Sequence, residues 1–388
     1  MLITSKQRPP KLSWLEGMLT EKPRRLAFAL IALAAIGDPV SAAAAEPAPD
    51  IYAPGRDIMA GLSRIVTPNG VDETFVATLG GSPQVVNVRG ADRSNPILLF
   101  VHGGPASPEM PLAWSFQRPW EDFFTVVQWD QRGSGRSFLL DDPAKIAQSL
   151  SLDRYRDDAI ELIEQLRRRY SQRKVILLGL SYGSTIGLSV AIKRPDLLYA
   201  YIGVGQLIDG RENERVGFDW TLARARADHN MSAVGELEAL RPYPGDGPLS
   251  VSRTMIERNW NIHYGGLVAY RPDADWYFHL GRISPLYTPA DRKAWDAGSD
   301  LTMKAVWPAL IGISFKQVDR LDVPLFFFLG RHDYTTPGPI AADWLAHVRA
   351  PEKRLVWFEH SAHLPFVEEP GRMLQALLEV RPLATEGK

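Results

Sequence analysis

Val175-Ile-Leu-Leu-Gly-Leu-Ser181-Tyr-Gly-Ser-Thr-Ile-Gly-Leu-Ser-Val-Ala-Ile-Lys-Arg194 is the stretch on which the reading of this chain turns. Val175 to Leu178 is a short, wholly apolar run, the pattern of a strand buried on both faces. Ser184 to Arg194 carries a helical pattern that stops near Pro195. Between them stands Gly179-Leu-Ser181-Tyr-Gly183, a G-x-S-x-G turn joining strand to helix. Side chains beside the serine would collide in so tight a turn, hence a glycine on either side. The serine then projects above the strand ends, at a helix N-terminus that favours developing negative charge. Ser181 is the candidate nucleophile.

Outward from this turn, the same two patterns alternate. Ile97 to Val101, Phe124 to Trp129, Ala200 to Val204, Leu325 to Leu329 and Arg354 to Phe358 are further buried-strand runs. Thr74 to Leu79 and Gln84 to Arg89 alternate apolar with polar residues around Gly80-Gly-Ser-Pro83, which predicts an antiparallel hairpin. Tyr155 to Tyr170 places Ala159, Ile160, Leu162, Ile163, Leu166 and Tyr170 on one helical face. Strands alternating with helices predict a mostly parallel, doubly wound sheet. The alternation stops between residues 206 and 318, where aromatics such as Trp220, Trp260, Tyr277 and Trp307 sit in a mainly helical pattern. That stretch is expected to be a helical cap inserted into the sheet domain. The expected organisation is a first core segment at 46–205, the cap at 206–318 and a second core segment at 319–388. With an elbow serine on such a sheet, this is the α/β-hydrolase fold.

A serine nucleophile needs a base, an orienting acid and an oxyanion hole. In this fold the acid and then the histidine follow the serine along the chain. Asp333, in Gly330-Arg-His-Asp333, directly follows the run Leu325 to Leu329. Asp319 and Asp322 precede that strand and belong at the wrong end of the sheet. After the last strand, His363 has room to fold back over the elbow, whereas His360 is almost continuous with the strand. The expected triad is Ser181, Asp333 and His363. The expected oxyanion donors are the backbone amides of Tyr182, next to the serine, and of Gly104 in the loop His102-Gly-Gly-Pro105. His102 itself, beside a strand end, is expected to orient this loop, and His332 to be a surface or pocket-wall residue. The aromatic cap predicts a mostly apolar small-molecule or short-peptide substrate.

Composition narrows the partners. The 44 Lys and Arg nearly cancel the 45 Asp and Glu, a formal charge of −1, so no global field draws the chain onto nucleic acid or an anionic membrane. The chain has no cysteine, which removes disulfides, thiolate metal sites and a cysteine nucleophile together. No metal and no organic cofactor is expected. At the N-terminus, Lys22, Arg24 and Arg25 precede the apolar run Leu26 to Gly37, followed by Ser41-Ala-Ala-Ala-Ala45. That order is the pattern of a signal peptide, here 1–45 with cleavage after Ala45, and predicts a periplasmic or secreted protein with no stable membrane span after its removal. The segment ahead of the apolar run is long for a signal peptide, and a start at Met18 instead of Met1 would leave a basic region of ordinary length.

Five motifs taken together resemble the proline iminopeptidase-like hydrolases. They are His102-Gly-Gly-Pro105, Trp129-Asp-Gln-Arg-Gly-Ser-Gly-Arg-Ser137, Gly179-Leu-Ser-Tyr-Gly183, Gly330-Arg-His-Asp333 and Ser361-Ala-His363, in this order. The resemblance covers most of Ile65 to Leu378. It implies a cap over the active site, the nucleophile, acid and base roles at Ser181, Asp333 and His363, and hydrolysis of an ester or amide through an acyl-enzyme, with release of N-terminal residues from small peptides. The family holds the substrate's free amino group with cap glutamates, for which Glu212 and Glu214 are the nearest candidates. Two positions depart from the pattern: Ala106 stands where the family has glycine, and Val204 where it has the arginine of a Leu-Arg-Gly run. A carboxylesterase or lactonase on small apolar substrates, an acyl transferase, and a non-catalytic binding protein on a hydrolase scaffold remain open alternatives.

Overall fold

The computed structural model describes residues 50–385. The expected signal peptide and its cleavage point after Ala45 lie outside the described residues. Eight strands form one sheet: β1 (Val71–Leu79), β2 (Ser82–Gly90), β3 (Ile97–Val101), β4 (Thr125–Trp129), β5 (Val175–Leu180), β6 (Leu198–Val204), β7 (Leu325–Gly330) and β8 (Lys353–Phe358). Their spatial order is β1-β2-β4-β3-β5-β6-β7-β8. The β1–β2 and β2–β4 pairs are antiparallel, and every pair from β4 to β8 is parallel. The hairpin turns at Gly80 and Gly81, both at positive φ, which glycine adopts without a Cβ penalty.

The apolar runs are continuous because the sheet is covered on both sides. Leu99, Val101, Val127, Leu177, Tyr201, Phe327 and Leu329 face one layer, with the helices Leu152–Arg169 and Tyr182–Lys193 over it. The alternate residues Leu98, Phe100, Val126, Ile176, Leu178, Ile202, Val204, Phe326 and Phe328 face the other layer, under Trp120, Phe366 and the helix Pro370–Val380. Period-2 orientation thus buries both halves of each run. Val204 is part of this apolar layer.

Between β6 and β7 the chain runs through the helices Gly210–Ala227, Met231–Glu238, Val251–His263, Asp275–His279 and Pro289–Gly312. The longest of these opens with a capping box, in which Thr288 and Asp291 satisfy each other's backbone amides, and has proline at its start. Asp130 and Tyr287 tie this region to the core: the Tyr287 hydroxyl donates to the Asp130 carboxylate, and a Cβ on Gly135 would strike that hydroxyl. The motif around Trp129–Ser137 is otherwise scaffolding. Arg132, almost fully buried, donates to Asp158 from Nε (2.9 Å) and Nη2 (3.1 Å), and to the Leu79 carbonyl (2.7 Å).

Candidate active site

Ser181 sits between β5 and the helix Tyr182–Lys193 with φ 54° and ψ −121°. A non-glycine residue at positive φ is strained, and strain of this kind persists only where surroundings over-determine it. Here the Ser181 amide donates to the Val204 carbonyl (2.9 Å), and the Ser184 amide returns to the Ser181 carbonyl (2.8 Å). The flanking glycines have physical causes. A Cβ on Gly179 would lie 2.6 Å from the Gly183 oxygen, and one on Gly183 would lie 2.2 Å from the Val101 oxygen and 2.4 Å from that of His102.

Asp333 follows β7 and His363 follows β8, so parallel pairing of the two strands brings their C-terminal loops side by side. Asp333 Oδ2 lies 2.8 Å from His363 Nδ1, both residues buried. That contact leaves Nε2 as the ring nitrogen available to a partner. Thr336 locks the pair from a third side: its amide donates to Asp333 Oδ1 (2.8 Å), and its hydroxyl lies 2.9 Å from Asp333 Oδ2 and 3.1 Å from His363 Nδ1. The imidazole lies over Gly205, where a Cβ would come within 2.8 Å of Cε1. Neither Thr336 nor Gly205 was singled out from sequence. Thr336 lies only three residues beyond the acid, but nothing in its type marks it.

His360 is exposed at the surface, and His332 contacts Tyr270 (2.8 Å) away from the cavity described below. Asp319 and Asp322 pair with Arg349 and Arg320 at the surface.

The loop after β3 runs against Ser181: a Cβ on Gly103 would be 3.1 Å from the serine Cβ. His102 braces this loop. Its Nδ1 is 3.0 Å from the Gly103 carbonyl, while Nε2 accepts from the Gln131 amide (3.3 Å) and meets the Ser134 hydroxyl (3.2 Å). Burial pushes its pKa down to about 4, so the ring is neutral and donates from Nδ1. Gly104, at φ 114°, and Tyr182, whose amide is among the four at a helix start that have no intrahelical acceptor, both border the space beside Ser181.

Ser181, His363, Gly104 and Tyr182 line one cavity of about 330 Å³. Its walls are mostly apolar and aromatic, with Leu207, Met255, Ile262, Phe278, Trp295 and Trp307 among them. The two glutamates expected from sequence to meet a substrate amine, Glu212 and Glu214, diverge. Glu212 is outside the cavity, at 2.7 Å from Lys316 Nζ. Glu214 borders it and is nearly buried, with both oxygens engaged: Oε1 accepts from Arg258 (2.8 Å) and Asn213 (3.4 Å), and Oε2 from the Tyr243 hydroxyl (2.5 Å). Behind this pair lies Glu257, whose carboxyl is pushed up to about 7 by burial, against the pull of Arg258. Another carboxylate, Glu109, borders the cavity from the loop after β3 and carried no signal in the sequence, since loop positions lack periodicity. Among the described residues, no group of three or more His, Cys, Asp or Glu side chains could hold a metal ion.

Known proteins agree with this architecture. The alpha/beta hydrolase fold family matches residues 96–370. A proline iminopeptidase of Neisseria meningitidis is 34% identical over 306 residues, 74% of this chain and 88% of that one. The probable aminopeptidase YbaC of Bacillus subtilis is 29% identical over 305 residues, 77% of this chain and 93% of that one. The crystal structure of a Mycobacterium smegmatis proline iminopeptidase superposes with a TM-score of 0.59 at 16% identity, over 81% of this chain and all of that one, which speaks to fold alone. Elbow, sheet order and family match agree: the chain is a hydrolase and belongs to the alpha/beta hydrolase fold family.

Proposed function

We propose that the protein is a serine hydrolase that cleaves small peptides through an acyl-enzyme, releasing the N-terminal residue as proline iminopeptidases do. The observation that carries this is the 2.8 Å contact of His363 Nδ1 with Asp333, with His363 lining the same cavity as the elbow serine. His363 Nε2 takes the Ser181 hydroxyl proton as Oγ attacks the carbonyl carbon. The amides of Gly104 and Tyr182 hold the resulting oxyanion. The imidazolium, stabilised by Asp333, gives its proton to the departing nitrogen, and a water then repeats the sequence on the acyl-enzyme. The two curated relatives named aminopeptidase and iminopeptidase support the peptide reading. The apolar walls and the pairing of Glu214 with Arg258 favour a second reading, hydrolysis of a small ester or lactone by the same triad. In either reading the aromatic helical stretch between β6 and β7 acts as the cap.

The test is labelling by a fluorophosphonate probe, which should be lost in Ser181→Ala. Absence of labelling in the unmodified protein would overturn the mechanism. Turnover of prolyl p-nitroanilide against p-nitrophenyl esters separates the two readings. We also propose export through the N-terminal signal, with cleavage after Ala45; no helix among the described residues is long and apolar enough to cross a membrane. N-terminal sequencing of the processed protein checks this, and a mature chain that retains residues 1–17 would refute it along with the start at Met18.

A further inference from the structure

We infer that Glu109, and not a cap glutamate, is the residue that holds the substrate's cationic amino group, which makes it the determinant of free-amine specificity in this cavity. The inference rests on the peptidase reading above and assigns its anchor. Three acidic side chains border the cavity: Glu109, Glu214 and Asp296. Asp296 is an exposed residue, where water competes for any ion pair. Glu214 already accepts from Arg258, Asn213 and Tyr243, which occupy most of its acceptor sites. With Arg258 at 2.8 Å its charge is already compensated.

Glu109 differs on each count. It is 3% exposed, so its partners are few and, once it ionises beside a cation, the ion pair is weakly screened. Its Oε2 accepts from the Tyr277 hydroxyl, which fixes the carboxyl plane. Its Oε1 has no hydrogen-bond partner among the described residues, yet it is not sealed from solvent as Glu257 Oε2 is. Glu109 borders the cavity, and a carboxyl oxygen there without a protein partner favours a ligand that supplies one. Among the described residues, no basic side chain is bonded to it. The position is also apt. Glu109 follows the candidate oxyanion glycine in the same loop, which is held by the Ser107 amide on the Gly103 carbonyl (3.1 Å), the Ser299 hydroxyl on the Ala106 carbonyl (2.6 Å) and the Leu112 amide on the Glu109 carbonyl (2.9 Å). A rigid loop that carries both the oxyanion donor and the carboxylate ties the amine position to the carbonyl position, as recognition of an α-amino acyl group requires.

The probes are L-prolinamide, a small cation, and N-acetyl-prolinamide, its neutral counterpart. They are measured by titration calorimetry on the mature protein carrying Ser181→Ala, so that binding is read without chemistry. Prolinamide should bind in preference to the acetylated probe. Adding Glu109→Gln, which keeps an acceptor for Tyr277, should weaken prolinamide by about tenfold or more, as loss of a charge-assisted bond implies. Adding Glu214→Gln should cost prolinamide less than Glu109→Gln does. Equal binding of the two probes, no binding of prolinamide, or an unchanged Kd in Glu109→Gln overturns the inference. Should Glu109→Gln fail to fold, the protein with Glu109 intact supplies a second readout. Burial pushes this carboxyl up to about 8, so it is largely protonated when empty at neutral pH and must ionise to pair with an ammonium. The other charged or titratable groups bordering the cavity are Asp296, His279, Arg282, Arg292, Tyr277 and the Glu214–Arg258 pair. Prolinamide binding should release a proton, seen as a heat that varies with the ionisation enthalpy of the buffer; no such variation refutes the assignment. Failure of the wild type to cleave prolyl p-nitroanilide would count against the peptidase reading alone, because the Kd comparison does not depend on turnover.

Discussion

Gly183→Ala tests whether the elbow is as crowded as its geometry says. A Cβ there would lie 2.2 Å from the Val101 carbonyl oxygen and 2.4 Å from that of His102. An ordinary carbon–oxygen contact is about 3.3 Å, so the new methyl must open a gap of roughly 1 Å between the elbow and the end of β3. Neither side is a flexible side chain: both offending atoms are backbone, and β3 is paired on both edges. Overpacking of this kind costs about 3 kcal/mol, which in a domain this large lowers Tm by about 4 °C. The functional loss should exceed the stability loss, because the displaced backbone carries Ser181 on one side and the Gly103–Gly104 loop on the other. A misplacement of about 1 Å at reacting groups costs roughly 100-fold in rate. The assay is the second-order rate of fluorophosphonate labelling, with Tm taken on the same preparation. Gly235→Ala is the control: it lies in a helix with nothing within 4 Å of its Cβ position, and it should be neutral or stabilise by up to about 1 kcal/mol. A Gly183→Ala protein with unchanged labelling rate and Tm would refute the steric account of the turn.

Thr336→Val keeps the shape but removes the hydroxyl that bonds Asp333 Oδ2; kcat/KM should fall about tenfold, the worth of one hydrogen bond to a charged group, with KM little changed, and steady-state kinetics on any turned-over substrate reads this. Asp158→Ala strands the buried guanidinium of Arg132, so urea denaturation should show a loss of about 3–5 kcal/mol. His102 is depressed to about 4 by burial, so the unfolded chain binds its proton first as pH falls. Its stabilisation is complete above about pH 6.5 and is lost between there and pH 4, a change of about 3 kcal/mol. In His102→Gln, stability measured by denaturation should fall less steeply than in the wild type over that interval; parallel profiles would refute the neutral, buried assignment.

What the sequence determined by itself was whatever depends on near neighbours. A run apolar at every position has one structural solution, a strand covered on both faces, so β3 to β7 could be read directly, with ends displaced by a residue or two. The elbow was legible because the steric demand around Ser181 falls on residues two positions away, and the meeting of Asp333 with His363 because parallel strands deliver their following loops to one edge of the sheet. Tertiary structure alone decided which groups face the cavity and which of them are already partnered. Glu212 and Glu214 are two residues apart on a helix, hence about 200° around its axis, and only Glu214 turns inward. Its charge is answered by Arg258, 44 positions along the chain on another helix. Thr336 and Gly205 acquire their places only when β6, β7 and β8 are assembled. Glu109 became a candidate only once its single Tyr277 bond, 168 positions distant, could be set against the three bonds and the Arg258 ion pair of Glu214. Strand and turn are dictated by contacts of a few residues' range. The free or satisfied state of a buried carboxylate depends on partners brought together by the whole fold.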